Sequence, residues 1–248
     1  MGSAVPFRHL WSPERLSADD MRTLLQTAAM LKGTRRRAEP WRPLQGRHLV
    51  VLCSAHADAG ATFQRAVADL GGVPVLLNAD EWRRRAGDHL ADEARLLGQL
   101  YDAIDCCDLP MATIEQIEAH SGVPVANGLS SSAHPLSLVA DILTIREAAA
   151  KPLHMCKLAV AAYPGPREES DVAATMARLA GMQAVVREEP VASGEADASD
   201  FILDPAARVS AARLKMPHGT PADQERLGKQ VQANRQYALE AALVCGLQ

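Results

Sequence analysis

Two groupings of side chains in this 248-residue sequence have types suited to chemistry. His56 and Asp58 stand just ahead of an apolar helical stripe, and with His134 they would make an acid–base set or a metal site. A zinc site draws its ligands from well-defined elements, and no third ligand is spaced on one here, so no metal is expected. The plainer reading makes Asp58 a cap on the helix that follows and His134, just before Pro135, a helix-start residue. Cys107 and His134 would together make an imidazole-activated thiolate, although nothing in the sequence brings them into contact. The short basic runs Arg35-Arg36-Arg37 and Arg83-Arg84-Arg85 read as solvated surface.

The elements that must position these residues alternate. Ser17 caps a helix over 18–32, with Asp19 and Asp20 in its first turn and Met21, Leu24, Leu25, Ala28 and Leu31 as its apolar stripe. His48 to Cys53 is a continuous apolar run, the mark of a strand buried on both faces. A helix over 62–70 ends at Gly71-Gly72, and a strand follows at 73–77. The alternation continues with helices over 90–100, 111–120 and 135–149 and strands at 102–104 and 123–126. A second half repeats it: strand 157–162, helix 170–179 closed by Gly181, strands 182–186 and 201–203, and a last helix over 221–247. Strands and helices alternating at this interval predict α/β architecture with parallel sheets.

Composition excludes some classes. Hydrophobic residues make up 48%, charged residues 23%, and the formal net charge is −4, which argues against wholesale nucleic-acid binding. No apolar run approaches the ~20 residues that span a bilayer, and residues 1–11 hold no signal core; a soluble, cytoplasmic protein is expected. The five cysteines are scattered without a C-x-x-C pair and read as buried thiols. Adjacent Cys106 and Cys107 should face opposite sides of a strand.

Several segments, in order, resemble the ornithine and aspartate carbamoyltransferases. Leu16 to Asp20 is similar to the family's opening helix, Phe63 to Gly72 to the helix after its phosphate loop, and Gly87 to Asp92 to the segment around its Gly-Glu-Ser. Val123-Pro-Val-Ala-Asn-Gly-Leu129, His134-Pro135 and Ala140-Asp-Ile-Leu-Thr144 match best, so the resemblance covers about residues 8–146. Beyond it, Gly181-Met182 and Ala233-Asn-Arg235 are similar to parts of the second domain and the closing helix. The resemblance implies two doubly wound, Rossmann-like parallel-sheet lobes, the second shortened, with the C-terminal helix packing back on the first. It divides the chain into a carbamoyl-phosphate-domain-like lobe (1–148), an amino-acid-domain-like lobe (149–220) and the returning helix (221–248).

Carried over position by position, the resemblance shows changed chemistry. The family's phosphate-binding Ser-Thr-Arg-Thr-Arg stands opposite His56-Ala-Asp-Ala-Gly60, so both arginines are gone and Asp58 takes the place of one. A carboxylate ~4 Å from phosphate costs roughly 1–4 kcal/mol per charge pair, and each lost charge-assisted bond roughly 1.5–3 kcal/mol. The arginine that contacts the carbamoyl oxygen maps to Cys107, a glutamine after His-Pro maps to Ser137, a basic residue maps to Ala86 beside Arg85, and an Asp-Gly-Asn loop maps to Pro164-Gly-Pro166. His134 matches the histidine that polarises the carbamoyl carbonyl, and Arg235 the arginine of the last helix.

The expected function is therefore a carbamoyltransferase-like protein without ordinary transfer activity, a non-catalytic paralogue with a regulatory, scaffold or binding role. An enzyme of altered specificity in the same cleft, or a residual ornithine- or aspartate-type transferase, is the alternative. The expected cleft residues are His134 as the catalytic candidate and His56, Asp58, Cys107, Ser137 and Arg235 for binding. No cofactor, nucleic acid or membrane is expected. A small-molecule ligand, a homotrimer, or a mixed trimer with an active carbamoyltransferase is, with the apolar residues of helix 62–70 read as part of the subunit contact.

Overall fold

The structure is a computed structural model that describes residues 5–36, 41–54, 58–83, 88–107, 109–131, 133–162, 167–188, 199–207 and 213–247. In the first lobe, β1 (His48–Cys53), β2 (Val73–Asn78), β3 (Ala103–Cys106) and β4 (Val125–Ala126) form a four-stranded sheet of order β2-β1-β3-β4. All its pairings are parallel, with His48 opposite Val73 and Leu49 opposite Ala103. The apolar run of β1 is buried on both faces because successive side chains go to opposite sides. Leu49, Val51 and Cys53 enter one core, and Val50 and Leu52 the other. Cys107 and Cys106 divide the same way, as the alternation requires.

The first core lies under α2 (Ala18–Arg36), α3 (Asp58–Asp69), α7 (Leu136–Ala148) and α9 (Pro221–Gly246). The second lies under α5 (Asp88–Leu100) and α6 (Met111–Ser121), closed by Trp82 from α4 (Ala79–Arg83). Trp11, just after α1 (Phe7–Leu10), joins this core and donates its indole N–H to the Val125 carbonyl at 3.1 Å. The short helices α1 and α4 were not legible as elements.

The second lobe holds β5 (Lys157–Ala161), α8 (Arg167–Leu179), β6 (Gln183–Arg187), β7 (Phe201–Leu203) and β8 (Leu214–Lys215), with sheet order β6-β5-β7-β8. Its first three strands are parallel, but β8 pairs antiparallel to β7. The second sheet is therefore mixed, not wholly parallel: only ten residues join β7 to β8, fewer than a parallel crossover needs, so β8 returns in the opposite sense. Residues of this lobe, among them Leu158, Val160 and Phe201, continue the first core of the other lobe.

Local signals explain the boundaries. Ser17 and Asp20 exchange side-chain-to-backbone hydrogen bonds at the start of α2 (3.1 and 2.9 Å), and Thr220 and Asp223 do so at α9. Gly71 closes α3 at φ 86, where a side chain would also meet Arg42. Two differences from expectation matter for the site. Helix α2 runs on to Arg36, which puts Arg35 in ion pairs with Asp69 (3.0 Å) and buried Glu240 (2.9 Å) instead of on a solvated run. Helix α3 begins at Asp58, a turn earlier than expected, and its Phe63, Ala66 and Val67, with Leu70 just after it, are buried within the chain.

The last helix returns to pack on α2, α3 and α7. Its anchor is Asn234, which is fully buried. Lys32 donates to Asn234 Oδ1 (2.7 Å) and to both Glu147 oxygens, while the Asn234 amide donates to Thr144 (2.9 Å) and Glu147 (3.0 Å). Replacing Asn234 by leucine strips partners from a buried ammonium and should lower unfolding free energy by about 2–4 kcal/mol. Urea unfolding checks this, with the midpoint falling at unchanged slope.

Candidate functional site

The carboxyl ends of β1, β3 and β4 open onto a cleft of about 730 Å³, the place where open parallel sheets bind ligands. One wall is a face of α3, where Asp58, Thr62, Arg65 and Asp69 recur at helical spacing. The facing wall is α9, through Gln232, Arg235, Gln236 and Leu239. The floor is Cys107, just past β3, with Leu129 to Ser131 from the loop after β4 and Leu136 and Ser137 opening α7. The structure thus gathers Asp58, Cys107, Ser137 and Arg235 around one space. His56, Arg85, Ala86 and Pro164–Pro166 lie outside the described residues.

Each of these side chains has a definite setting. Asp58 is the first residue of α3 and exposed. Gly60, opposite the family's second arginine, faces away from the cleft: an added Cβ would lie 2.4 Å from Leu76 Cδ1. The Cys107 thiol is buried, and Gly128, at φ 88, passes so close that a Cβ there would sit 3.3 Å from Cys107 Cα.

His134 is buried and lines a smaller cavity of about 200 Å³ between the lobes, together with Glu168, Glu169 and Arg213. Its Nδ1 accepts from the Leu136 amide at 3.0 Å, and its Nε2 lies 2.8 Å from Asn127 Oδ1. This pairing makes Nε2 the protonated nitrogen. Burial drops the imidazole to about 4, so the ring is neutral near pH 7.

Three groups beside the cleft, Asp141, Arg213 and Asp105, are not singled out as site residues by the sequence. Asp141, on α7 and 1% exposed, pairs with Arg213 at 2.9 Å, and Arg213 also donates to Ser137 Oγ at 3.2 Å. Burial pushes Asp141 upward, while Arg213 and Arg235 pull it back. Arg235 is half-buried, its Nε without a hydrogen-bond partner among the described residues. Asp105 on β3 is the third. Its Oδ1 accepts from the amides of Gly128 (2.7 Å) and Leu129 (3.0 Å), fixing the loop that floors the cleft. Burial lifts this carboxyl to about 6, against the pull of those amides. A lone carboxylate inside the apolar strand Ala103 to Cys106 was the sequence signal for it.

Among the described residues, no group of three or more His, Cys, Asp or Glu could hold a metal ion, and no helix is long and apolar enough to cross a membrane.

Comparison with known proteins adds an independent line. The sequence model of a family described as "Aspartate/ornithine carbamoyltransferase, carbamoyl-P binding domain" matches residues 8–147. An ornithine carbamoyltransferase of Pyrococcus abyssi is 34% identical over 141 residues, which is 56% of this chain and 44% of that protein. The chain thus spans about half the length of the curated relatives it matches. Among solved structures, ornithine carbamoyltransferase from Pyrococcus furiosus superposes with a TM-score of 0.70 at 22% identity, over 97% of both chains. Aspartate transcarbamoylase from Trypanosoma cruzi, in complex with aspartate and phosphate, superposes with a TM-score of 0.65 at 16% identity, over 98% of this chain and 97% of that one. At those identities the likeness speaks for the fold.

The two buried titratable groups beside the loop act in opposite senses on stability. Asp105, raised to about 6, contributes stability that is present below the ordinary carboxylate range and lost as pH rises to 6. His134, depressed to about 4, contributes stability that is present above the ordinary imidazole value and lost as pH falls to 4. Relative to the unaltered protein, Asp105→Asn should therefore raise stability at pH 6.5 compared with pH 4 by roughly 2–3 kcal/mol, and His134→Gln should lower it. Urea midpoints across this range check both.

Proposed function

This chain belongs to the aspartate/ornithine carbamoyltransferase family, and we propose that within the family it is a cleft-binding member that has given up carbamoyl phosphate and ordinary transfer. The observation that carries this reading is the first turn of α3. It presents Asp58 to the cleft, where the helix end would otherwise favour an anion. Two further settings support it. A buried thiol, Cys107, occupies the floor position that the resemblance gives to a carbamoyl-contacting arginine. His134 has both ring nitrogens engaged inside the protein and lines the smaller cavity, so its imidazole is not offered to a carbonyl in the main cleft.

A second reading, an enzyme of altered specificity, is favoured by one observation: the cleft is not filled but remains an open space of about 730 Å³ with a charged lining. A residual ornithine- or aspartate-type transferase is the third, supported by the activity named for its 30–34% identical relatives.

Isothermal titration with carbamoyl phosphate should give no heat of binding at millimolar concentration, and pure protein with ornithine or aspartate should form no citrulline or carbamoyl-aspartate. Product formation abolished by His134→Ala would establish the transferase instead. Asp58→Arg should recover measurable phosphate binding, because it removes a carboxylate from the helix end and puts a guanidinium there. If that variant folds and binds no phosphate, Asp58 is not the block.

The protein works in the cytoplasm as a homotrimer, or in a mixed trimer with an active carbamoyltransferase. Support comes from large apolar side chains left uncovered: Val73 and Leu76 on the edge strand β2, and Leu96, Leu100 and Met111 on α5 and α6. Light scattering on the pure protein should give three times the chain mass. A monomer across a wide concentration range would count against the homotrimer.

A further inference from the structure

One cation at the main cleft points to a kind of ligand. Arg213 is paired with Asp141 at 2.9 Å and shares the smaller cavity with Glu168 and Glu169, which leaves Arg235 as the cation of this group at the main cleft. The Nε of Arg235 has no hydrogen-bond partner among the described residues. An idle guanidinium donor on a half-buried side chain suits an anion at the cleft surface. Arg235 and Ser137 are the members of this group that reach the cleft surface.

The far side of the cleft sets a limit on that anion's charge. There Asp58 and Asp69 face the space, and Arg35 is taken up by Asp69 and Glu240. Arg65 shares this wall and, like Asp58 and Asp69, is exposed and screened by solvent, so the wall adds no net attraction for a second negative charge. A single negative charge near Arg235 is favoured, whereas a dianion would extend toward these carboxylates.

Between the two ends, apolar side chains line the cleft beside the hydroxyls of Ser130 and Ser131. Cys107, Leu129, Leu136 and Leu239 are each nearly fully buried yet line the cleft, and Tyr237 borders it. We infer that the cleft binds a small monocarboxylic acid with an apolar body, its carboxylate on Arg235 and Ser137 and its hydrocarbon against Cys107, Leu129, Leu136 and Leu239. This deepens the reading above and rests on it, since a carbamoyl phosphate dianion would compete for the same arginine. The carboxylate meets the Arg235 guanidinium, whose planar geometry is open to bidentate pairing, and the hydrocarbon leaves water for the apolar part of the lining.

The test is isothermal titration of the unaltered protein with acetate, hexanoate, benzoate, hexylamine and inorganic phosphate. Hexanoate or benzoate should bind about tenfold or more tightly than acetate, a gap that two buried CH₂ groups suffice to give, and hexylamine should not bind. Arg235→Gln should weaken the acid by about tenfold or more, with Arg235→Lys recovering part of the loss. If Arg235→Gln fails to fold, the acid-against-amine comparison on the unaltered protein decides. Equal affinity for hexanoate and acetate, or for hexanoate and hexylamine, overturns the inference. So does the absence of any carboxylate binding, which leaves the proposed loss of carbamoyl phosphate intact. Phosphate binding more tightly than every carboxylate overturns both.

Discussion

Everything in the cleft depends on α9 being held against the first lobe. That helix supplies the wall bearing Arg235, Gln236 and Leu239, yet it comes from the far end of the described chain. Its attachment combines apolar burial, through Val231, Leu239 and Leu243, with the buried polar knot of Asn234, Lys32, Thr144 and Glu147. Apolar contact alone tolerates sliding between helices. A fully hydrogen-bonded amide tolerates little, because a shift by one turn would leave an ammonium and a carboxylate unsatisfied inside the protein. The knot therefore sets the register of α9, and Arg235, one residue from Asn234, inherits its position from that register.

A second layer of control lies in the loop from Asn127 to Ser131. Asp105 holds its amides from below, and Asn127 is tied to His134 at its base. The histidine and the aspartate here are parts of the scaffold that shapes the cleft floor. At the carboxyl ends of β1 and β3 this chain presents a carboxylate and a thiol, Asp58 and Cys107. The burial pattern of a strand says nothing about the residue just beyond its end, so the scaffold does not dictate which groups stand there.

The sequence made much of the first lobe legible. The unbroken apolar run at His48 to Cys53 meant a strand covered on both sides, and the glycines at 71 and 181 marked helix ends that the structure has. The return of the last helix was legible only through the resemblance, because no local pattern states which surface a helix will cover. Strand β8 escaped notice because two residues cannot display a period. The site was legible in part. Asp58, Cys107, Ser137 and Arg235 were named by their place in the chain, and all four line the main cleft. Arg213 and Asp141 were not paired, since their contact joins residues 72 positions apart and nothing in either neighbourhood names the other. His134 was named for a role that needs an open ring nitrogen; its two hydrogen bonds are a tertiary fact.

The first lobe is split in the chain, with its α9 wall separated from its sheet by the whole second lobe. A ribosome delivers the sheet long before it delivers that helix. Until then, Leu24, Val139, Leu143 and their neighbours lack part of their cover, and the nascent first lobe exposes an apolar surface that attracts chaperones or other chains. The second lobe, complete earlier, waits beside it. Only once α9 has followed do these side chains gain that cover and the cleft its second wall, so core and cleft are completed by one and the same element.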